Sequence, residues 1–311
     1  MIQAQGLTKY YGEIRAVHDV SFDIGEGEIV GILGLNGAGK STVLQILSGG
    51  LQATSGSVRV NGMDAAEQPN EVRRRIGFLP EEPPLYREME VDAFLRYVGR
   101  LKGMSADDVE RRLGEVCERT QIEQVRHAVI STLSHGYRKR VGIAQAIIHD
   151  PKLLILDEPI SGLDPVQIVG MRDMIRGLRG SHTILLSSHI LTEISQTCDR
   201  ILMIKDGEIV ASGSEDELVG RFAGGERLVL RLRGERTALE ARLKEDQRVL
   251  EYEVRGDLHG VVEVRVTLDG DVREALVAEL IEAGFGLRAM SSAELELEQA
   301  FLAMTGTGGD A

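Results

Sequence analysis

The stretch I-V-G-I-L-G-L-N-G-A-G-K-S-T-V-L-Q-I-L, residues 29–47, decides the fold of this 311-residue chain. Its first five residues are apolar or glycine and rich in β-branched side chains, which predicts a buried strand. Residues 34–41 then match G-x-x-x-x-G-K-[ST], and the spacing of the apolar residues that follow predicts a helix. A glycine loop between a strand and a helix is the context in which this pattern binds phosphate. The stretch therefore predicts a nucleoside triphosphate site.

The chemistry of this phosphate loop follows from its residue types. The glycines let the main chain curl so that its N–H groups surround an anion. The helix N-terminus adds unpaired donors and a positive dipole end. The Lys40 ammonium can reach the β- and γ-phosphates, and the Ser41 hydroxyl can ligate Mg²⁺. The residues expected to contact the nucleotide are Gly34, Leu35, Asn36, Gly37, Ala38, Gly39, Lys40, Ser41 and Thr42.

Length and composition limit the other possibilities. A chain of 311 residues suits one large domain and a smaller one. The net charge of −13 argues against broad non-specific binding to nucleic acid or anionic lipid, because both favour basic surfaces. Cys117 and Cys198 lie far apart and fit a reducing compartment. Neither a signal-peptide core nor a membrane-spanning apolar run is present, so we expect any membrane role to pass through a partner.

Two further strands are predicted to end in polar side chains at the same edge of a parallel sheet. Residues 153–156 are all apolar, which is typical of a strand buried on both faces, and Asp157 and Glu158 follow directly. Residues 183–189 predict another buried strand, which ends in the polar residue His189. Open α/β sheets bind ligands at the carboxyl ends of their strands. Asp157 can hold Mg²⁺ there, and Glu158 can polarise an attacking water as general base.

The remaining strands of the first domain are shorter. Residues 2–28 alternate apolar and polar side chains in two runs, 14–20 and 21–28, and predict a small antiparallel sheet beside the phosphate-loop strand. Residues 57–61 and 75–80 predict two more strands. A hairpin with a tight Asp-Gly turn follows around residue 206 and closes this domain near residue 220.

From Pro83-Pro84 to about residue 149 the pattern becomes helical and predicts an insertion into the α/β domain. Ser134 is a good N-cap for the helix that begins in L-S-H-G-Y, and Gly136 permits close approach of another molecule. Three cations at residues 138–140 follow in the first turns, where they oppose the helix dipole. Either an anion lies nearby or these side chains form an exposed surface run.

The C-terminal part has its own order of elements. Residues 228–290 predict elements in the order β-α-β-β-α-β, which is typical of a ferredoxin-like module. A last helix is predicted after them, at residues 295–304. It contains no constellation of catalytic side chains, and we expect it to serve packing or regulation.

Residues 1 to about 220 resemble the nucleotide-binding subunit of an ATP-binding-cassette (ABC) transporter. The family's motifs occur here in its usual order. They are the phosphate loop at 34–41, L-S-H-G-Y at 133–137 where the family carries L-S-G-G-Q, the Walker B strand at 153–158, the D-loop at 161–164 and the switch histidine His189. Together these motifs are highly specific, whereas a phosphate loop alone would leave many NTPases open.

The resemblance implies a domain plan. Residues 1–220 would form an α/β P-loop NTPase domain of the ABC ATPase type, with an antiparallel β subdomain and a helical subdomain at about residues 84–150. Residues 226–306 would form a C-terminal accessory α+β domain of the ferredoxin-like type.

The resemblance also implies a composite ATP site. Two copies would pack head to tail around two ATP molecules, and Ser134 and Gly136 of one copy would contact the γ-phosphate held by the other. Asp164 of the D-loop joins this nucleotide-binding set. Tyr11 matches the aromatic that stacks on adenine, although the residues alone favour a packing role.

The catalytic roles come from the same resemblance. Glu158 would act as general base, His189 as γ-phosphate sensor and Lys40 as a stabiliser of charge on the transferred phosphoryl group. The expected Mg²⁺ ligands are Ser41, Glu81 and Asp157.

Three positions depart from the family pattern. Glu81 stands where most members have a glutamine, and its carboxylate brings negative charge close to the γ-phosphate, so we expect altered coupling or turnover. His135 replaces a signature glycine and Tyr137 replaces the signature glutamine. Because Ser134 and Gly136 remain, we expect the composite site to survive.

Pro80-Glu81, L-S-x-G-Y and a C-terminal L-E-x-A-F-L resemble the branch that serves ABC-2-type export permeases, including drug-export and gliding-motility systems. We therefore expect a Mg²⁺-dependent ATPase that powers separate membrane permease subunits from the cytoplasmic face of the cell membrane, with no nucleic-acid partner. Two alternatives stay open. One is a non-transport ABC ATPase acting on ribosomes or nucleic acid, against which the single cassette counts. The other is a regulatory binder that holds ATP without hydrolysis, against which Asp157, Glu158 and His189 count.

Overall fold

The computed structural model describes residues 1–222, 226–258, 260–270 and 272–292. They form two compact units, Met1–Ser214 and a second that begins at Glu215. No helix in these ranges is long and apolar enough to cross a bilayer. The helix expected at residues 295–304 lies outside the described residues.

The first unit contains two sheets and seven α-helices among its described residues. Its strands are β1 (Ile2–Tyr11), β2 (Ile14–Ile24), β3 (Ile29–Leu33), β4 (Ser55–Val60), β5 (Met63–Asp64), β6 (Ile76–Leu79), β7 (Leu153–Leu156), β8 (Thr183–Ser188), β9 (Arg200–Lys205) and β10 (Glu208–Gly213). Its helices are α1 (Lys40–Leu47), α2 (Pro69–Arg75), α3 (Val91–Leu101), α4 (Ala106–Arg119), α5 (His135–Ile147), α6 (Pro165–Gly177) and α7 (Leu191–Ser195). Short 3₁₀ turns occur at Glu123–Val125 and Ile130–Thr132.

The central sheet has the strand order β10-β9-β3-β8-β7-β6. All neighbouring pairs are parallel except β9 with β10, which form the predicted hairpin. Every residue of β3, β7 and β8 is buried, as expected for strands covered on both faces. This order brings the carboxyl ends of β3, β7 and β8 side by side, where the sequence predicts the site.

The second sheet is antiparallel and has the order β2-β1-β4-β5. The sequence predicted two short runs at residues 14–20 and 21–28, which is wrong, because Ile14–Ile24 is one strand. The apparent break is an irregularity in the ladder: Asp19 takes a φ of +47°, and its N–H donates to the Thr8 hydroxyl. Helix α1 packs against β2 and β4, and its apolar face shares one core with both sheets.

The helical block contains α3, α4 and α5, which pack against one another, and α5 also packs on β6. Asp92 of α3 is buried and accepts two hydrogen bonds of 2.9 Å from Arg126. A buried carboxylate requires such pairing. Helices α2, α6 and α7 carry no prediction from the sequence.

The second unit has the predicted β-α-β-β-α-β order in its described part, preceded by one helix. Its elements are α8 (Glu215–Phe222), β11 (Glu226–Arg233), α9 (Arg236–Glu245), β12 (Val249–Leu258), β13 (Val261–Leu268), α10 (Arg273–Glu282) and β14 (Gly286–Ser292). The strands form an antiparallel sheet in the order β12-β13-β11-β14, the ferredoxin-like arrangement. Alternate residues of β13 are buried in a core completed by α9 and α10.

Candidate active site

The phosphate loop lies between β3 and α1, as predicted. Gly37 and Gly39 have φ values of +83° and +101°, a region that residues with a side chain rarely adopt. Neighbouring main chain is also close: a Cβ on Gly34 would lie 2.5 Å from the Ile204 carbonyl oxygen, and one on Gly39 would lie 2.6 Å from that of Ala16. The loop therefore requires glycine both for its curvature and for its packing.

Lys40 is the first residue of α1, and its side chain folds back into the loop. Its Nζ donates to the carbonyl oxygens of Gly34 at 2.9 Å and Leu35 at 3.3 Å. The same ammonium lies 3.4 Å from Oε1 of Glu158, and both residues are buried. The structure thus brings together two charges that the sequence predicted from separate motifs.

Asp157 and Glu158 follow β7 and share one partner, Ser187. The Ser187 hydroxyl donates to Oδ1 of Asp157 at 2.6 Å and accepts from the main-chain N–H of Glu158 at 2.9 Å. Glu158 has a φ of +48°, an unusual value for a residue with a side chain. Its Oε2 lies 3.0 Å from Nδ1 of His189. Ser187 had no predicted role, although a serine near the end of a buried strand is a usable signal.

Lys40, Glu158 and His189 line one cavity of about 570 Å³. Its lining residues are Ala16, Asn36, Gly37, Gly39, Lys40, Ser41, Thr42, Glu81, Glu158, Ser161 and His189. Asp157 is 3% exposed and is not one of these lining residues. Tyr11 is exposed, with the Lys9 ammonium 5.4 Å from its ring centre, and is not a lining residue of the cavity. Stacking on adenine thus remains a prediction.

Ser134 and Gly136 lie apart from the phosphate loop in this single chain. They line a different cavity of about 240 Å³ together with Gln121, Gln124, Tyr137, Arg140 and Gln167. Ser134 is confirmed as the N-cap of α5, since its hydroxyl accepts from the Tyr137 N–H. Asp164 caps α6 in the same way by accepting from the Gln167 N–H at 2.9 Å.

The three consecutive cations of α5 bind main-chain and amide oxygens of their own subunit. Arg138 donates to the Leu133 carbonyl, and Arg140 donates to Oε1 of Gln121. Lys139 is 2% exposed, so an exposed surface run is wrong for this residue. Burial lowers the pKa of Lys139, and the nearby carboxylates of Glu81, Glu158, Asp157 and Glu82 oppose this shift.

The two substituted signature residues also make contacts within the subunit. His135 places Nε2 3.4 Å from the Ser161 carbonyl oxygen of the D-loop. The Tyr137 hydroxyl accepts from Nε2 of Gln124 at 2.6 Å. Neither contact is available to the glycine and the glutamine of the family pattern in the same form.

The expected Mg²⁺ ligands fit a hard cation. Ser41 and Glu81 line the cavity and carry oxygen donors, whereas Asp157 is buried and is not one of its lining residues. Within the described ranges, no group of three or more His, Cys, Asp or Glu side chains could hold a metal. Mg²⁺ commonly binds through one or two carboxylates plus substrate phosphates and water. The donors therefore fit an ion held jointly with a triphosphate.

A glycine loop before a helix, paired carboxylates after a parallel strand and a histidine after the next strand define a P-loop NTPase. The family model described as ABC transporter matches residues 17–161. The linearmycin resistance ATP-binding protein LnrL of Bacillus subtilis is 30% identical over 98% of both chains. The daunorubicin/doxorubicin resistance ATP-binding protein DrrA of Streptomyces peucetius is 33% identical over 99% of this chain and 93% of its own.

A solved structure shows the same fold. The dimeric post-hydrolysis state of the ATP-binding cassette MJ0796, bound to ADP and Pi, is 26% identical, with a TM-score of 0.63 over 69% of this chain and 98% of its own. The chain belongs to the ABC transporter family: it is an ATP-binding transporter subunit and an ATPase.

Proposed function

We propose that two copies of this chain pack head to tail around two ATP molecules and hydrolyse them. One observation carries the proposal: the phosphate cavity contains Lys40, Glu158 and His189, whereas Ser134 and Gly136 line a separate cavity of the same chain. A single copy therefore presents two half-sites, and a second copy could complete both. The dimeric state of MJ0796 with ADP and Pi supports this arrangement.

In the proposed mechanism the incoming triphosphate competes with Glu158 for the Lys40 ammonium, which lies 3.4 Å from that carboxylate. The released carboxylate then accepts a proton from the attacking water. His189, already 3.0 Å from Glu158, orients that carboxylate and senses the γ-phosphate. Mg²⁺, held by Ser41, Asp157 and Glu81, would neutralise charge on the phosphates. Once the triphosphate is bound, the Lys40 ammonium is in place to stabilise the charge that develops in the transition state.

We also propose that the dimer closes on ATP and opens after hydrolysis. This movement would drive separate membrane permease subunits of an ABC-2-type exporter at the cytoplasmic face of the membrane. LnrL and DrrA, both named for drug resistance, match nearly the whole chain, including the second unit. Exposed aromatic surface also lies close in sequence to Glu81. Tyr86, which precedes α3, is 52% exposed and packs edge-on against Tyr97 of α3. Exposed apolar surface of this kind fits a protein partner.

We also propose that residues 1–220 form the nucleotide-binding domain, with its helical subdomain at about 84–150, and that residues 226–306 form the accessory domain. The separate core of the second unit supports such a division.

The decisive experiment is the Glu158→Gln variant. We expect ATP binding to remain, because the phosphate loop is untouched, steady-state hydrolysis to fall ~1000-fold, and a nucleotide-trapped dimer to elute in size-exclusion chromatography. Glu71→Gln, which removes a carboxylate paired with Arg74 on the surface, is the matched control. Normal phosphate release by Glu158→Gln would remove Glu158 from the role of general base.

A further inference from the structure

Lys139 is a buried charge that the proposed mechanism does not use. Its Nζ donates to the Glu81 carbonyl oxygen at 2.6 Å and to the Glu158 carbonyl oxygen at 2.9 Å. Its neighbours Arg138 and Arg140 contact Leu133 and Gln121 instead. Of the three consecutive cations, Lys139 is therefore the one that reaches the main chain of the site.

The Glu158 main chain needs such support. Its φ of +48° brings Cβ close to the main chain, and a residue in this conformation persists when surrounding contacts hold it. Two contacts do so, one on each side of the residue: Ser187 accepts from its N–H, and Lys139 donates to its carbonyl oxygen. The direction of the Glu158 carboxylate toward Lys40 and His189 depends on this backbone conformation.

The same ammonium joins three segments. It belongs to α5, whose N-terminus carries Ser134, and it binds both the Glu81 loop and the residue proposed as general base. We propose that Lys139 is a positioning residue for hydrolysis. It holds the Glu158 main chain in its left-handed conformation and connects it to the main chain of Glu81 and to helix α5. This inference rests on the proposed function, in which Glu158 is the general base.

The test compares full-length variants in a steady-state ATPase assay and in equilibrium binding of ATP with Mg²⁺. Lys139→Met removes the donors, and Lys139→Gln keeps a shorter neutral donor. The matched control is Lys102→Met: Lys102 also donates to two main-chain carbonyls, those of Arg73 at 2.8 Å and Ile76 at 3.1 Å. Each Met variant therefore removes an ammonium that donates to two main-chain carbonyls, although Lys102 is only half-buried.

We expect kcat to fall ~100-fold in Lys139→Met and ~10-fold in Lys139→Gln, because small displacements of a reacting group cost rate steeply. ATP affinity should stay within ~3-fold of wild type, since the two hydrogen bonds of Lys139 go to Glu81 and Glu158 and not to the phosphate loop. Lys102→Met should keep kcat within ~2-fold of wild type, even if its melting temperature falls as much as that of Lys139→Met.

Each other outcome overturns the proposal. A kcat of Lys139→Met near wild type would show that Lys139 plays no part in hydrolysis. An equal loss in Lys102→Met, or a loss of ATP affinity as large as that of kcat, would show a general structural role. Failure of both Lys139 variants to fold, with Lys102→Met folded, would show the same. Glu158→Gln is assayed alongside: if it hydrolyses ATP normally, the proposed function fails as well, whereas its inactivity beside an active Lys139→Met overturns the Lys139 proposal alone.

Discussion

The two ends of the central sheet hold cavities of similar size and different chemistry. At the carboxyl ends, Glu158 contacts both Lys40 and His189, and the three residues line a cavity of about 570 Å³. At the opposite end, a cavity of about 670 Å³ is lined in part by His149 and His182, each with one ring nitrogen lacking a hydrogen-bond partner among the described residues. Among the described residues, no ion pair joins two side chains that line this larger cavity. Cavity size therefore does not identify the site here, whereas the convergence of polar groups does.

The sharpest way to break this comparison is to remove one lysine from each end. Lys40→Met should lower kcat/KM for ATP ~1000-fold, because the buried ammonium faces the phosphates and has no substitute. Lys152→Met, at the opposite cavity, should leave kcat/KM within ~2-fold. Equal effects of the two substitutions in a phosphate-release assay would contradict the assignment of the site to the carboxyl ends.

A second experiment tests whether the carboxyl end is a half-site. Gly136→Glu places a bulky anion in the cavity that Ser134 and Gly136 line. This variant should lower kcat ~100-fold while ATP still binds. Mixed with Lys40→Met in equal amounts, it should regain about a quarter of wild-type activity, because half of the dimers would carry one intact pocket out of two. The measurement is ATPase activity of the refolded mixture against each variant alone. Activity that does not rise on mixing would rule out head-to-tail completion.

The opposite end of the sheet should govern acid stability instead. Burial lowers the pKa of His149 to about 4, so the folded state favours the neutral ring, and the hydrogen bond that its Nε2–H donates to the Ile76 carbonyl at 3.2 Å only partly opposes this shift. A depressed histidine pKa stabilises the fold above the unfolded value of about 6.5, and this stabilisation is lost as the pH falls toward 4. The loss amounts to about 3 kcal/mol of unfolding free energy.

Urea unfolding at several pH values measures this loss, with His149→Asn as the comparison. The variant should be less stable near neutral pH and should show a shallower decline between pH 6.5 and 4. An unchanged slope would mean that His149 does not carry the effect. Burial also lowers the pKa of His182, so a residual slope of the same sign should persist in the variant.

The smallest expected effect concerns Glu81, which lines the cavity at an exposed position. Glu81→Gln removes a negative charge near the expected γ-phosphate, so KM for ATP should fall ~3-fold, a modest change because solvent screens the exposed carboxylate. Repeating the assay at high salt should shrink the difference between Glu81→Gln and wild type. A difference that persists at high salt would show that long-range repulsion by the Glu81 carboxylate does not cause it.

Much of this site followed from local sequence patterns. The phosphate loop, the strands that end at Leu156 and Ser188 and the N-cap Ser134 were all predicted, because periodicity, glycine spacing and capping chemistry act within a few residues. The error in β2 has the same origin: a local irregularity at Asp19 imitates a turn when only sequence neighbours are visible. The burial of Lys139 was also missed, since its partner Glu81 is 58 residues away.

By itself, then, the sequence determined the position of the phosphate loop and the residue types in it, because a strand, a glycine loop and a helix are consecutive in the chain. Only the tertiary structure decided that Ser187 would bridge Asp157 and Glu158 and that Lys40 would pair with Glu158. The reason is the strand order, in which β8 lies between β3 and β7, so that side chains far apart in sequence meet at one sheet edge. No local pattern encodes which strands become neighbours.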